Sequence, residues 1–413
     1  MRSCGRIEVA RHGALARAAS IDDLRTLARR KLPRMVFDYI DGASGAESTA
    51  RRNRSAFERF LLRPEILVDL SARTLETSLF GQPVAMPLVI GPTGMNGAYW
   101  AEGDLCLARA AKAANVPFVM STAATVKLAT LVAEAGPLRW FQLYMLRDRG
   151  LAQALLERVH AAGFQVLQLT VDTAVTGRRN RDVRNGFTLP FRWSGRKLID
   201  TALRPGWAMQ MLHTGSPTLQ LFAEVVGRIE PGSTITEVVQ RQISDAFTWR
   251  DLDWLRSCWP GKLVLKGVSE PAHVRMGLAA GIDGVVVSNH GGRQLDGTGS
   301  TIEQLPRIAE AADGRMTVLI DSGFRHGADI AKALALGADA VQIGRPALYG
   351  LAAAGEAGVH HALGILSAEL EVAMALSGAC NVRQLRGRVD VAVDVDVDGV
   401  KPSEASRVAS RPC

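Results

Sequence analysis

Nine consecutive residues, Ser288-Asn289-His290-Gly291-Gly292-Arg293-Gln294-Leu295-Asp296, bring an imidazole, two adjacent glycines and a guanidinium to the end of the apolar run Gly284-Val285-Val286-Val287. The run reads as a buried strand whose polar residues arrive where it emerges. His290 can move a proton near neutral pH. The glycines let a ligand approach the backbone, and Arg293 offers a planar fork that matches a carboxylate. A strand ending in a polar turn is also an ordinary structural event, so the chemistry has to be argued from what else reaches the same place.

The elements that must position these residues repeat one unit. Apolar strands are expected at Met86–Ile90, Pro117–Met120, Arg139–Leu143, Gln165–Thr170, Lys262–Lys266, Gly284–Ser288, Met316–Ile320 and Ala340–Gly344. Alanine-rich helical segments lie between most of them, such as Leu105–Ala114, Leu151–Ala162, Ala272–Ala280 and Ile330–Leu336. Strands alternating with helices imply an α/β fold with a parallel sheet. Eight such units imply closure into a (β/α)8 TIM barrel.

Polar residues fall at the C-terminal ends of all eight strands: Thr93; Ser121 with Thr122; Gln142 with Tyr144; Thr170 with Asp172; Lys266; Asn289 with His290; Asp321 with Ser322 and Gly323; and Gly344 with Arg345. Barrel enzymes assemble their sites on that face from several strands together. The last two ends, Asp321-Ser322-Gly323-Phe324-Arg325 and Gly344-Arg345-Pro346, each set glycine and arginine just before a helix. Barrels commonly hold a phosphate there, through backbone N–H groups and helix N-termini.

Upstream, Ile21, Leu24, Leu27 and Ala28 predict a helix from Ile21 to about Arg34, an N-terminal helical extension to the barrel. Tyr39 and a glycine-rich turn to Glu47 follow, then a helical stretch from Ala50 to Arg59. Residues 1–20 read as a flexible extension, 21–387 as the barrel domain, and 388–413, with Val-Asp repeats, as a disordered tail.

One spacing breaks the repeat. The chain from Thr170 to Lys262 is far longer than one helix needs, so a long loop must leave the site face after the fourth strand. Residues 178–213 hold eight Lys/Arg against two Asp/Glu, together with Phe187, Phe191, Trp193, Trp207 and Met209. Basic residues mixed with aromatics suit an anionic membrane surface, and on these residues alone an active-site lid or a subunit contact fits equally.

The formal charge of +8 asks for an acidic partner: anionic substrate, phosphate cofactor or lipid headgroups. Nucleic acid is disfavoured, because outside residues 178–213 no basic stretch is interleaved with aromatics. Five scattered cysteines show no metal-ligand spacing, so no metal is expected, and they fit a reducing compartment. No unbroken apolar run is long enough to span a bilayer.

Around one pocket beside a phosphate site, Arg293 would hold a carboxylate, His290 would take a proton and Asp172 would steady the imidazolium. Lys266 would supply fixed positive charge where negative charge develops.

Taken together, Tyr39 with its turn, Gly91-Pro92-Thr93-Gly94-Met95, Phe141-Gln142-Leu143-Tyr144, Thr170-Val171-Asp172, Leu265-Lys266-Gly267, Ser288 to Asp296, Asp321-Ser322-Gly323 and Gly344-Arg345-Pro346 resemble the FMN-dependent 2-hydroxy-acid dehydrogenase and oxidase family, in order and from about Ile21 to Ala379. Within it the likeness is greatest to the bacterial mandelate-oxidising branch. The resemblance implies FMN as cofactor, His290 as active-site base with Asp172 as its partner, and a substrate clamp of Arg293, Arg179, Tyr39 and Tyr144, with Tyr144 also among the catalytic residues. It implies that Lys266 lies near flavin N1 and O2 and stabilises the anionic reduced ring, and that Thr93, Gly94, Ser121, Gln142, Thr170 and Ser288 line the flavin. It further implies that Asp321, Gly323, Arg325, Gly344 and Arg345 hold ribityl and phosphate.

The chain departs from the family at three places. Ala123 replaces a tryptophan of glycolate oxidases and leaves room for an aromatic ring, which favours mandelate. Gly94 replaces an alanine of many oxidases, and His326 the second of two phosphate-loop arginines. The expected activity is oxidation of (S)-mandelate or a related aromatic (S)-2-hydroxy acid to the 2-oxo acid, with hydride and carbanion routes using the same residues. Rival expectations are an L-lactate dehydrogenase, an oxygen-using oxidase, or a flavin-free membrane-binding barrel. The resemblance also implies a quinone acceptor, peripheral attachment to the cytoplasmic face of the bacterial inner membrane, and a homotetramer.

Overall fold

The computed structural model describes residues 13–188, 190–226 and 241–392. Most of the expected extension and tail, including Cys4 and Cys413, lies outside the described residues.

Eight short runs rich in Val, Leu and Ile form parallel strands: β1 (Leu88–Ile90), β2 (Phe118–Ser121), β3 (Arg139–Leu143), β4 (Val166–Thr170), β5 (Lys262–Val268), β6 (Gly284–Val287), β7 (Thr317–Ile320) and β8 (Ala340–Ile343). They hydrogen-bond in sequence order, and β8 pairs with β1 to close the barrel. Nearly every strand residue is buried, as parallel strands covered by helices outside and packed side chains inside must be. At the N-terminal mouth a hairpin, Thr77–Leu79 with Gln82–Val84, presses Leu79 and Val84 onto Val89, Val119, Trp140, Val166, Val264, Val286 and Leu319. This plugs one end of the barrel and leaves the other for the site.

The N-terminal segment lies across that open end. One helix was expected from Ile21 to Arg34, but proline drives the preceding residue extended, and Leu32, before Pro33, stands at φ −94°, ψ 144°. The result is two helices, α1 (Ile21–Lys31) and α2 (Arg34–Asp41), with Tyr39 in the last turn of α2. A third helix, α3 (Ser48–Ser55), follows the glycine-rich turn.

Order begins before residue 21. Ala18 is buried and its carbonyl accepts a 2.7 Å hydrogen bond from His361 Nε2, and Ser20 caps α1 reciprocally with Asp23. At the other end, the boundary at residue 387 falls short. Val389–Val391 pair antiparallel with Phe60–Leu62, so the first of the alternating valines and aspartates form an edge strand rather than tail.

The long insertion between β4 and β5 carries helices of its own, including α4 (Asn180–Asn185), α5 (Gly195–Ala202) and α6 (Pro205–Thr214). Its aromatics divide. Trp207 is buried, with Nε1 donating to Ala98 O at 2.8 Å, and Phe191 packs on its ring. Leu198 and Ile199 on α5 and Met209 and Leu212 on α6 stay exposed, as do Trp193 and Leu203 on either side of α5. After β8, α7 (Arg345–Leu376) is long and apolar enough to cross a membrane by length and composition, but it breaks at Ala354–Gly355 and packs its apolar residues against α1 and the helix Gly103–Ala113.

Candidate active site

Three side-chain-bearing residues at the strand ends occupy the left-handed region: Met95 (φ 61°), His290 (φ 57°) and Ser322 (φ 80°). Such positions cluster where structure is organised for function. His290 is held there by its surroundings. Its N–H donates to Ser288 Oγ at 3.1 Å, Gly291 N donates to Ser322 Oγ at 2.9 Å, and Asn289 Oδ1 caps the turn by accepting from Gly292 N. A side chain at Gly292 would put its Cβ 2.7 Å from Ala50 N, so only glycine lets this loop lie against α3.

The turn aims His290 Nδ1 at Asp172 Oδ1, 3.2 Å away. Burial would raise the Asp172 carboxyl, but the nearby His290 and Lys266 outweigh it and hold the group below its ordinary value. An ionised Asp172 accepts a hydrogen bond from Nδ1–H, which fixes the tautomer and leaves Nε2 free to accept a proton in the cavity. The close approach depends on Gly267 (φ 111°), where a Cβ would meet Asp172 Cβ at 2.8 Å. Gly267 lies in a bulge of β5 just after Lys266. Bulges re-aim side chains in this way, and Lys266 Nζ sits 2.9 Å from both Asp321 Oδ2 and Ser288 Oγ. Burial pulls Lys266 down, while Asp321 and Asp172 prevail and keep it charged.

Tyr39 organises the other wall. Its ring stacks on Phe187 with centroids 4.4 Å apart, and the guanidinium groups of Arg293 and Arg179 stand 4.9 and 5.1 Å from its centroid. Arg293 also donates to Tyr39 O at 2.6 Å and Gly42 O at 3.0 Å. Desolvation, then the like charge of Arg179, lowers Arg293 from its ordinary value, so this pair of cations would be relieved by an anion. Burial and Asp172 raise the Tyr144 phenol, which stays a protonated donor. These groups share one cavity of about 690 Å³.

Residues 28–391 match the family described as FMN-dependent dehydrogenase. The chain belongs to this family. It is 42% identical over 366 residues to the (S)-mandelate dehydrogenase of Pseudomonas putida, covering 89% of this chain and 92% of that one. It is 43% identical over 368 residues to an L-lactate dehydrogenase of Caulobacter sp. (strain K31), covering 89% and 97%. A solved structure of a monotopic membrane protein, (S)-mandelate dehydrogenase, superposes with TM-score 0.86 at 40% identity, covering 90% of this chain and 99% of the other. Lactate and mandelate are both 2-hydroxy acids, and this chain is an FMN-dependent 2-hydroxy-acid dehydrogenase.

The donor set of this dehydrogenase fits FMN. Arg325 and Arg345 supply cations for a phosphate, and Thr93, Gly94, Gly323 and Gly344 bring backbone and small side chains to the cavity wall. Arg345 donates to Ile40 O, Gly291 O and Gly42 O at 3.0, 2.9 and 2.8 Å, which leaves two of its five N–H groups. Desolvation, then Arg293 and Arg325, lowers it to about 10, against Tyr349 and Asp41. A bound phosphate would offset that crowding.

Of the residues read from sequence, Tyr39, Thr93, Gly94, Tyr144, Arg179, Lys266, His290, Arg293, Asp321, Gly323, Arg325, Gly344 and Arg345 line the cavity, as does Ala123. Asp172, Ser121, Gln142, Thr170 and Ser288 do not; they stand behind the wall. Ser121 Oγ donates to Gln142 Oε1 and Gln142 Nε2 to Thr170 Oγ1, both at 2.9 Å, in a buried row across three strands. His326 lies outside the cavity wall and caps the helix Gly327–Ala335, with Glu369 3.7 Å from its ring.

The cavity also takes in residues that sequence reasoning did not place there, among them Tyr99, Asp182, Val183, Phe187, Gln294 and Gln342. On residues alone, Phe187 belongs to an insertion that suits a membrane surface or equally an active-site lid. Arg179 at the N-cap of α4, Val183 within it and Phe187 just past its left-handed cap Gly186 are each four residues apart, and that spacing was the available signal for a site-facing side.

Proposed function

We propose that this dehydrogenase oxidises (S)-mandelate, or a closely related aromatic (S)-2-hydroxy acid, to the 2-oxo acid, and that electrons leave to a quinone at an anionic membrane surface. The reading of the substrate rests on the cavity wall, where Tyr39, Tyr144 and Phe187 bring aromatic surface and Gly94 and Ala123 bring almost no side chain.

Arg293 and Arg179 hold the substrate carboxylate with charge-assisted hydrogen bonds, and the phenols of Tyr39 and Tyr144 orient the substrate. His290 Nε2 takes the hydroxyl proton, and Asp172 steadies the imidazolium. As the O–H bond breaks, the C–O bond becomes a carbonyl and the α-hydrogen leaves with its electron pair. Bound FMN supplies the two-electron acceptor for that hydrogen. Lys266 would face the cofactor end with Ser288 behind it, and Thr93, Gly94, Ser121, Gln142 and Thr170 would hold or back the ring. Asp321, Gly323, Arg325, Gly344 and Arg345 hold ribityl and phosphate.

The membrane reading is supported by the exposed apolar face of α5 and α6, with exposed Arg192 and Arg196 beside it, and by the monotopic relative. Apolar insertion beside basic residues is how interfacial helices bind anionic lipid. We also propose a peripheral place at the cytoplasmic face and a homotetramer, as the family resemblance read from the sequence implies.

A lactate-oxidising role is the second reading, favoured by the Caulobacter relative. Steady-state comparison of kcat/KM for (S)-mandelate and L-lactate decides between them. At least a tenfold preference for mandelate is expected, since about 1.4 kcal/mol of binding corresponds to tenfold. A preference for lactate would overturn the aromatic assignment.

A further inference from the structure

Tyr39 reaches the cavity from the last turn of α2, and three arginines from later in the chain fix the segment around it. Arg293 and Arg345 do so through backbone carbonyls. The third, Arg181, lies on α4 just beyond Arg179, off the cavity wall, and no step of the proposed reaction uses it. Its guanidinium meets three carboxylates of the Tyr39 segment: Glu47 Oε2 at 2.5 Å, Asp41 Oδ2 at 3.0 Å and Asp38 Oδ1 at 3.5 Å. Asp41 is itself held by Arg25 through contacts of 2.6 and 2.8 Å and by Tyr349 Oη at 2.8 Å, so Arg181 grips a carboxylate that cannot turn away.

The neighbours of Arg181 repeat the same tie. Asn185 Nδ2 donates to Asp38 Oδ2 and Asn180 Nδ2 to Gly45 O, both at 2.8 Å, and Gly45 N donates to Arg178 O at 3.0 Å. One side of α4 therefore binds the Tyr39 segment, while Asp182 and Val183 line the cavity. At six residues, α4 is too short to hold its place by its own hydrogen bonds. An exposed ion pair would contribute little; here one guanidinium, only 32% exposed, serves three carboxylates and joins two distant segments.

We propose that Arg181 is a positioning residue for the substrate clamp: it fixes α4 on α2 and so sets Arg179 and Phe187, on either side of it, against Tyr39. The proposal rests on the reading of the cavity as a 2-hydroxy-acid site. Arg181 touches none of His290, Asp172 or Lys266, so its loss should weaken binding and spare the chemical step.

The test uses FMN-loaded Arg181→Gln, Arg181→Lys, Tyr39→Phe and the Arg181→Gln/Tyr39→Phe double variant. KM and kcat are measured with (S)-mandelate, and Kd for the corresponding 2-oxo acid is read from the flavin spectrum. Arg181→Gln should raise KM and Kd about tenfold with kcat within about threefold, and Arg181→Lys should recover part of the loss. The double variant should fall short of additivity, because both changes act on one contact set. Should Arg181→Gln fail to fold, Glu47→Gln and Asn185→Ala remove single ties and should raise Kd by smaller steps. A lowered melting temperature with wild-type KM and Kd, or strict additivity, would overturn the proposal alone. Wild-type enzyme that neither turns over nor binds any 2-hydroxy or 2-oxo acid would overturn the reading of the cavity and the proposal with it.

Discussion

His290 stands at φ 57° with Nδ1 3.2 Å from Asp172, and each fact explains the other. A left-handed conformation costs a non-glycine residue about 1–2 kcal/mol. The Ser288, Asn289 and Ser322 contacts offset it and leave the ring aimed. Replacing His290 with alanine should therefore lower turnover by about 10²–10⁴, the range of a positioned acid–base group, with FMN retained and mandelate still bound. Near-normal turnover in a steady-state assay would remove His290 from the mechanism. At this scale the sequence was most legible where a polar residue interrupts an apolar run, which is how His290, Lys266 and Arg345 stood out. Phe187 and Arg181 stayed hidden because an aromatic or an arginine inside a basic insertion looks the same whether it faces lipid, solvent or a buried carboxylate.

Among the elements, the turn between α2 and α3 is joined to the His290 loop through Asp296. Its carboxylate accepts from Ala46 N at 2.9 Å and from Ser48 Oγ and Thr49 N at 2.8 Å, and these donors hold it below its ordinary value against desolvation. A group depressed in the folded state contributes stability that is complete above its unfolded value, about 3.9 for aspartate, and is lost as pH falls through the folded value. Urea midpoints taken from pH 7 downward should therefore show a shallower acid decline in Asp296→Asn than in wild type. Identical declines would mean that the Asp296 contacts do not survive in solution. The strands were readable as short unbroken apolar runs, and most helices because a period of 3.6 survives averaging over a segment. The break at Pro33 was available from proline chemistry and was passed over in favour of periodicity. The pairing of Val389–Val391 with Phe60–Leu62 was not readable, since an edge strand's partner at the far end of the chain leaves no local mark.

Taken whole, the molecule sets its apolar face on the insertion whose first helix, α4, also lines the substrate cavity. Serine at Leu198, Ile199 and Leu212 should cut sedimentation with phosphatidylglycerol-containing vesicles by more than tenfold, because each leucine or isoleucine withheld from the bilayer forfeits about 1.5–3 kcal/mol. The same variant should keep wild-type turnover with a soluble acceptor. Unchanged sedimentation would assign the face to another partner. The net charge of +8 asks for an anionic partner without naming it; which side chains of the insertion turn outward depended on packing that composition does not carry.

The central claim, that the His290 pocket takes hydrogen from an aromatic 2-hydroxy acid, is tested most directly by mixing the FMN-loaded protein anaerobically with (S)-mandelate and following the visible flavin band. Rapid bleaching, slower with L-lactate and restored faster by a quinone analogue than by air, is the predicted result. A yellow protein that stays oxidised with mandelate and bleaches only with lactate would contradict the substrate assignment, and one that bleaches with neither would contradict the site.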